Sequence, residues 1–365
     1  MSRPPAPPDD EREARHPERL DTLELFAKRS GRGRPPPSRG MQAIVDKSVE
    51  RHSALVVGAL PAHVEVLLEE GERASGREAV LVVRVHPALV AALGSPLVVG
   101  DRIQVATLPG GQLYAVDCAP RQTQLARPAV EREKTAQPLV ANADVLWAVV
   151  SLSNPPLNAG LVDRFFVAAA AGGLEARLLA TKLDLPPEAE SLRWLELYER
   201  LGFEVARTSI VSGLGLAPVR ARLATSFSVL VGQSGVGKSS VVRAILPERP
   251  IAVGEMSQAT GKGKHTTTVT RYYLLPEGGA VVDTPGLREL GLWGADRSHL
   301  DLAFPDVAQL AGGCRFDDCR HDKEPGCLVR GDPQLSKERL ASWRKLSAEI
   351  DARLRPGFGK PGGPG

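Results

Sequence analysis

The segment from Gly232 to Ser239 places glycines, a lysine and a hydroxyl residue in the spacing G-x-x-x-x-G-K-S. The preceding residues 227–231 are apolar and largely β-branched, as in a buried strand, and residues 239–246 show a helical pattern that ends before Pro247. A strand, a glycine-rich loop and a helix N-terminus direct several backbone N–H groups at one place, which suits a phosphate chain. The alternative is a glycine-rich turn that fits by chance. We favour a phosphate-binding loop, because both flanking elements are present.

Several side chains near this loop have the chemistry to bind a nucleotide and its metal ion. Lys238 can reach the β- and γ-phosphates, and the hydroxyl of Ser239 can bind Mg²⁺. Asp283 closes a later apolar strand in the motif D-T-P-G, where its carboxylate can hold Mg²⁺ through water. Gly286 of the same motif allows a backbone N–H to approach a γ-phosphate. The predicted contacts from the loop itself are Gly232, Gln233, Ser234, Gly235, Val236, Gly237, Lys238, Ser239 and Ser240.

A second motif, T-K-L-D, follows the predicted strand 176–180 and can read the base. The carboxylate of Asp184 can accept hydrogen bonds from the ring N–H and the exocyclic amine of guanine, whereas adenine offers no matching pair of donors. The aliphatic stem of Lys182 would cover the flat face of the base. Thr181 stands where this motif usually has asparagine, and its shorter side chain is not expected to bridge to the phosphate-binding loop. Ser209 is a further predicted contact.

The polar, glycine-containing loop 261–268 lies between the phosphate-binding loop and Asp283. Such a loop can order around a γ-phosphate, with a threonine completing the Mg²⁺ shell. Thr267 is the first choice for that ligand and Thr266 the second. Leu287 occupies a position where many GTPases have a water-orienting glutamine, so we expect slow intrinsic hydrolysis, with the missing polar group supplied by a partner or by His265. The predicted catalytic residues are Lys238, His265 and Thr267, and the alternative is a solvated basic loop.

Three cysteines and a histidine form a compact metal-ligand pattern near the C-terminus. The spacing is C-x₄-C-x-H-x₅-C, and the residues are Cys314, Cys319, His321 and Cys327. Three thiolates and one imidazole can close a tetrahedron around Zn²⁺, leaving no open position, so the site is predicted to be structural. The alternative is a set of buried free thiols. With only 4 cysteines in the chain, a disulfide framework is not expected.

The chain of 365 residues is long enough for two or three domains, and its pattern changes along its length. We expect disordered tails at 1–40 and 356–365, an all-β domain at 41–127, an α/β domain at 128–299 and a zinc-binding helical domain at 300–355. Short strands between turns favour a small closed barrel of the OB-fold type in the first domain. Its predicted strands are Gln42–Val45, Ala54–Ala59, Val80–Val85, Arg102–Thr107 and Leu113–Cys118.

The alternation of strands and helices after a charged connector at 127–138 favours a doubly wound, mainly parallel sheet. Its predicted strands are 144–150, 176–180, 203–206, 227–231, 271–275 and 280–282, and its predicted helices are 160–171, 188–202 and 239–246.

Two basic segments have two possible interpretations each. Residues 28–39 are basic without an acidic residue, as in an RNA-contacting tail or a solvated extension. A helix from Ser336 to about Leu354 places Leu340, Trp343, Leu346 and Ile350 on one face and Arg339, Arg344, Lys345 and Arg353 on others. That helix is either packed with a solvated charged face or presents a basic surface to RNA. The barrel is poor in aromatic residues, so base stacking there is not expected.

The overall composition excludes several classes of protein. No apolar run is long enough to span a bilayer, and the first thirty residues lack the apolar core of a signal peptide. The formal charge of +3 is too small to indicate a nucleic-acid partner by itself. We expect a cytoplasmic monomer that does not associate with membranes.

The motifs occur in an unusual order, because the base-reading motif precedes the phosphate-binding loop, as in a circularly permuted GTPase. In this respect the chain resembles the ribosome small-subunit-dependent GTPase A family (RsgA, also called YjeQ), over roughly residues 41–347. The matching motifs are Pro120–Thr123, Ala141–Asp144, Lys264–Thr268 and Asp283–Glu289. The chain departs from the family pattern at Thr181, in the loop after Ser209 and in its aromatic-poor barrel.

The resemblance implies an enzyme that hydrolyses GTP to GDP, uses Mg²⁺ and one structural Zn²⁺, and is stimulated by the small (30S) ribosomal subunit. It also implies a role in late maturation of that subunit and contact with its rRNA. Two alternatives remain from the residues alone. One is a P-loop enzyme that uses ATP, and the other is a nucleotide-gated rRNA-binding module in which hydrolysis is incidental.

Overall fold

The computed structural model describes residues 50–60, 62–68, 80–108, 111–128, 136–246, 271–283 and 290–354. Both predicted tails, the predicted strand Gln42–Val45 and the loop 261–268 lie outside these ranges, as do Gly286 and Leu287. Within the described ranges, no helix is both long and apolar enough to cross a membrane.

The N-terminal part of the described chain is a closed five-stranded barrel with the strand order β1-β2-β3-β5-β4. Neighbouring strands are antiparallel except β3 and β5, which are parallel, and helix α1 connects β3 to β4. The prediction of an all-β barrel is therefore confirmed. The elements are β1 (Arg51–Ala59), β2 (His63–Leu68), β3 (Val80–Val85), α1 (Pro87–Leu93), β4 (Arg102–Leu108) and β5 (Gln112–Cys118).

Strand β2 is not among the strands predicted from the sequence. Its residues Val64, Glu65, Val66 and Leu67 are all buried, so the apolar–polar alternation that marks a half-exposed strand is absent. Burial raises the pKa of Glu65, whose side chain lies over Gly58 of β1, where the pairing of β1 with β2 shifts register. A buried charged residue in an apolar run obscures the strand in the sequence.

A two-stranded hairpin and a set of polar contacts join the barrel to the next domain. Strands β6 (Gln124–Pro128) and β7 (Ala136–Ala141) pair antiparallel across part of the predicted connector. Nearby, the guanidinium of Arg121 donates to both carboxylate oxygens of the fully buried Asp101, at 2.7 and 2.8 Å. The side chain of Asn142 donates to the carbonyl of Gly100 and accepts from the N–H of Gln122, both at 2.8 Å. These motif residues therefore fix the barrel to the sheet.

The central domain is a six-stranded sheet with the order β10-β9-β8-β11-β13-β12, in which β12 alone runs antiparallel. All residues of β8 (Val145–Ser151) are buried, as expected for a central strand covered on both faces. The predicted doubly wound, mainly parallel sheet is confirmed. The other strands are β9 (Glu175–Thr181), β10 (Glu204–Arg207), β11 (Phe227–Val231), β12 (Arg271–Leu274) and β13 (Ala280–Asp283). The helices are α2 (Ala159–Gly172), α3 (Ala189–Arg200), α4 (Leu216–Leu223) and α5 (Lys238–Ile245).

The strand order brings the two predicted motifs to one edge of the sheet. The chain runs outward through β8, β9 and β10, and then returns to place β11 on the other side of β8. Ligands of doubly wound sheets bind at the carboxyl ends of the strands, where the order reverses. The base-reading motif follows β9 and the phosphate-binding loop follows β11, so both lie at this edge although the polypeptide reaches them in permuted order.

The C-terminal part consists of helices that pack against α2 and carry the Cys/His cluster. The helices are α6 (Arg297–Ala303), α7 (Pro305–Ala311), α8 (Leu328–Gly331) and α9 (Lys337–Leu354). Helix α9 begins as predicted, because the hydroxyl of Ser336 accepts from the N–H of Arg339 at 3.1 Å.

Arg339 is buried, so the prediction that it lies with the charged residues outside the apolar face of α9 is wrong. The side chain is fully buried and donates to Asp306 at 3.0 and 3.1 Å, to the Ala303 carbonyl at 2.9 Å and to Asp163. Burial alone disfavours its charge, but Asp163 and Asp306 outweigh that effect and raise the pKa of Arg339. Arg339 lies four residues before Trp343 and so on the buried face of α9, but the sequence does not reveal the acidic partners, which come from other elements.

Candidate nucleotide-binding site and metal cluster

The phosphate-binding loop has the backbone geometry that its glycines predict. Gly232 and Gly237 have φ angles of 150° and 102°, and α5 begins directly after Gly237. A Cβ atom on Gly232 would lie 2.3 Å from the carbonyl oxygen of Val149 in the neighbouring strand β8. The close approach of β8 and the positive φ angles therefore require glycine at these turns.

The predicted lysine and Mg²⁺ ligands lie together at this loop. The ammonium of Lys238 donates to the carbonyls of Gly232 and Gln233, both at 2.8 Å, and thus lies over the loop. The hydroxyl of Ser239 donates to Oδ2 of Asp283 at 2.6 Å, which joins α5 to the end of β13. A serine oxygen and a carboxylate oxygen side by side are hard ligands of the type that Mg²⁺ prefers, so these residues fit the ion.

Thr181 contacts the phosphate-binding loop, contrary to the expectation from its length. Its hydroxyl oxygen lies 2.5 Å from the carbonyl of Val236 and 3.1 Å from that of Val150, and the residue is buried. Because the C=O and the following N–H of a trans peptide point in opposite directions, a bond at Val236 directs the N–H of Gly237 away from Thr181. The end of β9 is close enough to the loop for the shorter side chain to make the bridge.

Replacement of Thr181 by valine is expected to weaken GDP binding by about tenfold and to destabilise the fold by about 1 to 3 kcal/mol. Valine has nearly the same shape but leaves the buried Val236 carbonyl without its donor. Isothermal titration calorimetry and thermal unfolding measure the two effects. Thr181→Ser keeps the hydroxyl and is the matched control. Equal GDP affinities for the valine and serine variants would contradict the role of the hydroxyl.

The predicted base-reading residues adopt a defined arrangement beyond β9. The hydroxyl of the buried Ser209 donates to Oδ1 of the exposed Asp184 at 2.5 Å and thereby orients the carboxylate. Lys182 has a φ of 59° and donates from Nζ to the carbonyl of Asn154 at 2.5 Å. The contact with Asn154 could not be predicted from the sequence, because it involves a backbone carbonyl, which every residue has.

The remaining predicted contacts divide into two groups. Ser234 and Gly235 are exposed at the tip of the loop, and Ser240 lies in the first turn of α5. The predicted switch and catalytic residues His265, Thr266 and Thr267 lie outside the described residues, as does Gly286.

The four predicted metal ligands converge in the C-terminal part. One ligand atom from each of Cys314, Cys319, His321 and Cys327 lies within 4.8 Å of the others. Nδ1 of His321 is 3.7 Å from Sγ of Cys314 and 3.5 Å from Sγ of Cys327, and the two sulfurs are 4.0 Å apart. Sulfur ligands at about 2.3 Å from a tetrahedral Zn²⁺ lie roughly 3.8 Å from each other, so the cluster fits this ion.

The surroundings of the cluster favour neutral histidine as a ligand and hold its backbone. Burial, assisted by the charges of Arg297 and Arg344, lowers the pKa of His321. The same two arginines donate to the carbonyls of Cys319 and His321, and the indole of Trp343 packs against the imidazole with ring centroids 4.7 Å apart.

The thiols of the cluster differ in acidity. Burial opposes the thiolate of Cys314, but backbone N–H groups of Val329 and Leu328 outweigh it and lower the pKa. Burial raises the pKa of the Cys319 thiol to about 11. Both thiols would have to lose their protons to bind zinc, so metal affinity would fall as the pH is lowered.

Comparison with known proteins agrees with this geometry. The model of the RsgA GTPase family matches residues 118–293. The small ribosomal subunit biogenesis GTPase RsgA of Pseudomonas savastanoi pv. phaseolicola is 39% identical over 304 residues, which cover 82% of this chain and 85% of the relative. The protein of the same name from Azotobacter vinelandii is 38% identical over 306 residues, with the same shares covered.

Two solved structures are similar over most of the chain. The crystal structure of YjeQ from Thermotoga maritima has a TM-score of 0.62 and 26% identity, and covers 83% of this chain and 100% of its own. YloQ, described as a circularly permuted GTPase, has a TM-score of 0.60 and 25% identity, and the match covers 84% of this chain and 97% of YloQ. With the permuted order of its motifs, its barrel and its Cys/His cluster, and with these similarities over most of its length, the chain belongs to the RsgA GTPase family.

Proposed function

We propose that this chain is a GTP hydrolase that acts in the biogenesis of the small ribosomal subunit and is stimulated by that subunit. The proposal rests on one observation: the groups suited to a triphosphate and those suited to a guanine base lie at the same edge of the sheet. Lys238 and the Ser239–Asp283 pair suit a triphosphate with its metal ion, and the Asp184–Ser209 pair suits guanine.

The chain's own residues divide the chemistry between them. The ammonium of Lys238 exchanges its carbonyl partners for phosphate oxygens and neutralises charge that develops on the transferred phosphoryl group. The N–H groups of the loop hold the β-phosphate side of the ligand, and Asp184 fixes the base. Ser239 and Asp283, with Thr267 as a further proposed ligand, would hold Mg²⁺, which would supply additional charge stabilisation. His265 is the proposed group that orients the attacking water.

The proposed partner is the small ribosomal subunit with its rRNA. The curated relatives are named for the biogenesis of that subunit. The proposal includes a monomeric protein that works in the cytoplasm, where ribosomes are assembled. GTP would order the loop 261–268, and the barrel and the C-terminal helices would bind the subunit until hydrolysis releases them.

Addition of small ribosomal subunits is expected to raise GTP turnover at least tenfold above the slow intrinsic rate, since arginine fingers and other partner-supplied groups contribute about 10³-fold or more in GTPases. Phosphate release under multiple-turnover conditions measures the effect. Large subunits are the control partner, and Lys238→Ala is the control variant that stays inactive with either subunit.

The same assay can also contradict the proposed stimulation by the small subunit. Equal turnover with small subunits, with large subunits and alone would contradict stimulation by the small subunit. An excess of unlabelled ATP should leave GTP turnover unchanged, because Asp184 offers adenine no matching contact, and inhibition by ATP would favour an ATP-using enzyme.

A further inference from the structure

The Cys/His cluster is connected to the phosphate-binding loop through packed side chains, two helices and a small cavity. The first step starts from the proposed zinc ligand His321, whose imidazole packs against Trp343 of α9 with 4.7 Å between the ring centroids. Trp343 and Arg339 are four positions apart on α9 and thus share one face of that helix. Trp343 and one turn of α9 therefore link the proposed metal ligand His321 to Arg339.

The second step crosses from the C-terminal helices to α2 through buried charges. Arg339 donates to Oδ1 of Asp163, and both side chains are fully buried. Tyr198 of α3 donates to the same carboxylate oxygen at 2.7 Å, and the Phe304 ring lies 4.0 Å below the guanidinium. A charged pair held in this way has few alternative positions, because separation would leave either charge buried without a partner.

The third step leads along α2 to the nucleotide site. Val162, next to Asp163 in the sequence, lines a small cavity together with the start of α2 at Asn158 and Leu161. Gly232, Gln233 and Val236 of the phosphate-binding loop line the same cavity. A shift of α2 would therefore change the support behind the loop.

We propose that Arg339 is a positioning residue that holds α2 against the phosphate-binding loop through Asp163, so that affinity for guanine nucleotide depends on zinc at the Cys/His cluster. The inference rests on the proposed function in taking GDP as the ligand. The two-state element is the metal cluster itself, because structural zinc sites order the surrounding chain only when the metal is bound. By reciprocity, GDP also strengthens zinc binding.

Titration of the full-length protein with GDP, before and after zinc is removed by a chelator under reducing conditions, tests the dependence. Zinc removal is expected to weaken GDP binding at least about fivefold, and added zinc is expected to restore it. Arg339→Met, which retains volume without charge, binds GDP more weakly with zinc present and no longer responds to zinc. Amide hydrogen exchange in α2 and in the loop should rise in the same variant.

The matched control is Arg164→Gln. Arg164 lies beside Asp163 on α2 and pairs with Glu349 of the same α9, at 3.0 and 2.5 Å, but both partners are partly exposed. This variant is expected to keep the full zinc response. An equal loss of response in both variants would overturn the assignment to Arg339, because general loosening of α2 against α9 would then suffice.

Two further outcomes separate this inference from the proposed function. Unchanged GDP affinity after verified zinc removal would overturn the inference alone, whereas failure of the zinc-loaded protein to bind GDP would overturn the proposed function. If Arg339→Met does not fold, Tyr198→Phe removes one hydrogen bond to Asp163 with little change in shape. A reduced zinc response in Tyr198→Phe would support the inference, and an unaltered response would contradict it.

Discussion

Asp184→Asn is expected to change the preferred base from guanine to xanthine, with GTP affinity falling by about 100-fold or more. Asparagine replaces one of the two acceptor oxygens by an NH₂ donor, which opposes the exocyclic amine of guanine, while its remaining oxygen can still accept from the ring N–H. Xanthine carries a carbonyl in place of that amine and can accept from the new donor. The amide oxygen can still accept from Ser209, whose hydroxyl lies 2.5 Å from Asp184, so the local geometry is retained.

Competitive binding of GTP and XTP, followed by fluorescence, measures this change. Glu277→Gln is the matched control, because it removes one negative charge from the turn before β13, at the opposite edge of the sheet. That variant should keep the preference for GTP. Unaltered GTP affinity in Asp184→Asn would show that the base is read elsewhere.

Cys327→Ala is expected to abolish zinc binding and to unfold the C-terminal part locally. Structural zinc sites contribute on the order of 10 kcal/mol of metal-binding free energy, and loss of one thiolate removes most of it. Cys327 is also the N-cap of α8, where its sulfur accepts from the N–H of Arg330 at 3.3 Å. The number of zinc ions per chain, determined by elemental mass spectrometry, should fall from one to zero.

The remaining cysteine provides the control for this experiment. Cys118 is buried in the barrel, on β5, and is not part of the cluster. Cys118→Ala should therefore retain one zinc per chain. Trp343 reports the change optically, since its indole packs on His321 and its fluorescence should respond when the cluster is lost. Stoichiometric zinc in Cys327→Ala would contradict the proposed ligand set.

The sequence predicts those parts of the site whose residues are close together in the chain. The phosphate-binding loop and the four-ligand cluster are local patterns, and their geometry follows from glycine conformations and ligand spacing. The Ser239–Asp283 contact also follows, because the ends of parallel strands meet at one edge of the sheet.

Contacts between distant elements are the part that sequence patterns miss. A charged residue such as Arg339 is expected at the surface, and its burial is explained only by Asp163 and Asp306, which other elements supply. The bridge from Thr181 depends on the spacing of β9 and the loop, which side-chain length alone does not give. Strand β2 is hidden because Glu65 interrupts a wholly buried run.

The strand order has a consequence for synthesis of the protein. The first strand of the sheet to leave the ribosome is β8, and it becomes an interior strand. β9 and β10 then extend the nascent sheet on one side, and β11, β13 and β12 complete it on the other. Since synthesis proceeds from the N-terminus, the half that carries the predicted base-reading residues leaves the ribosome before the half that carries the phosphate-binding loop has been made. A bound nucleotide would then fasten the late half of the polypeptide to the early one.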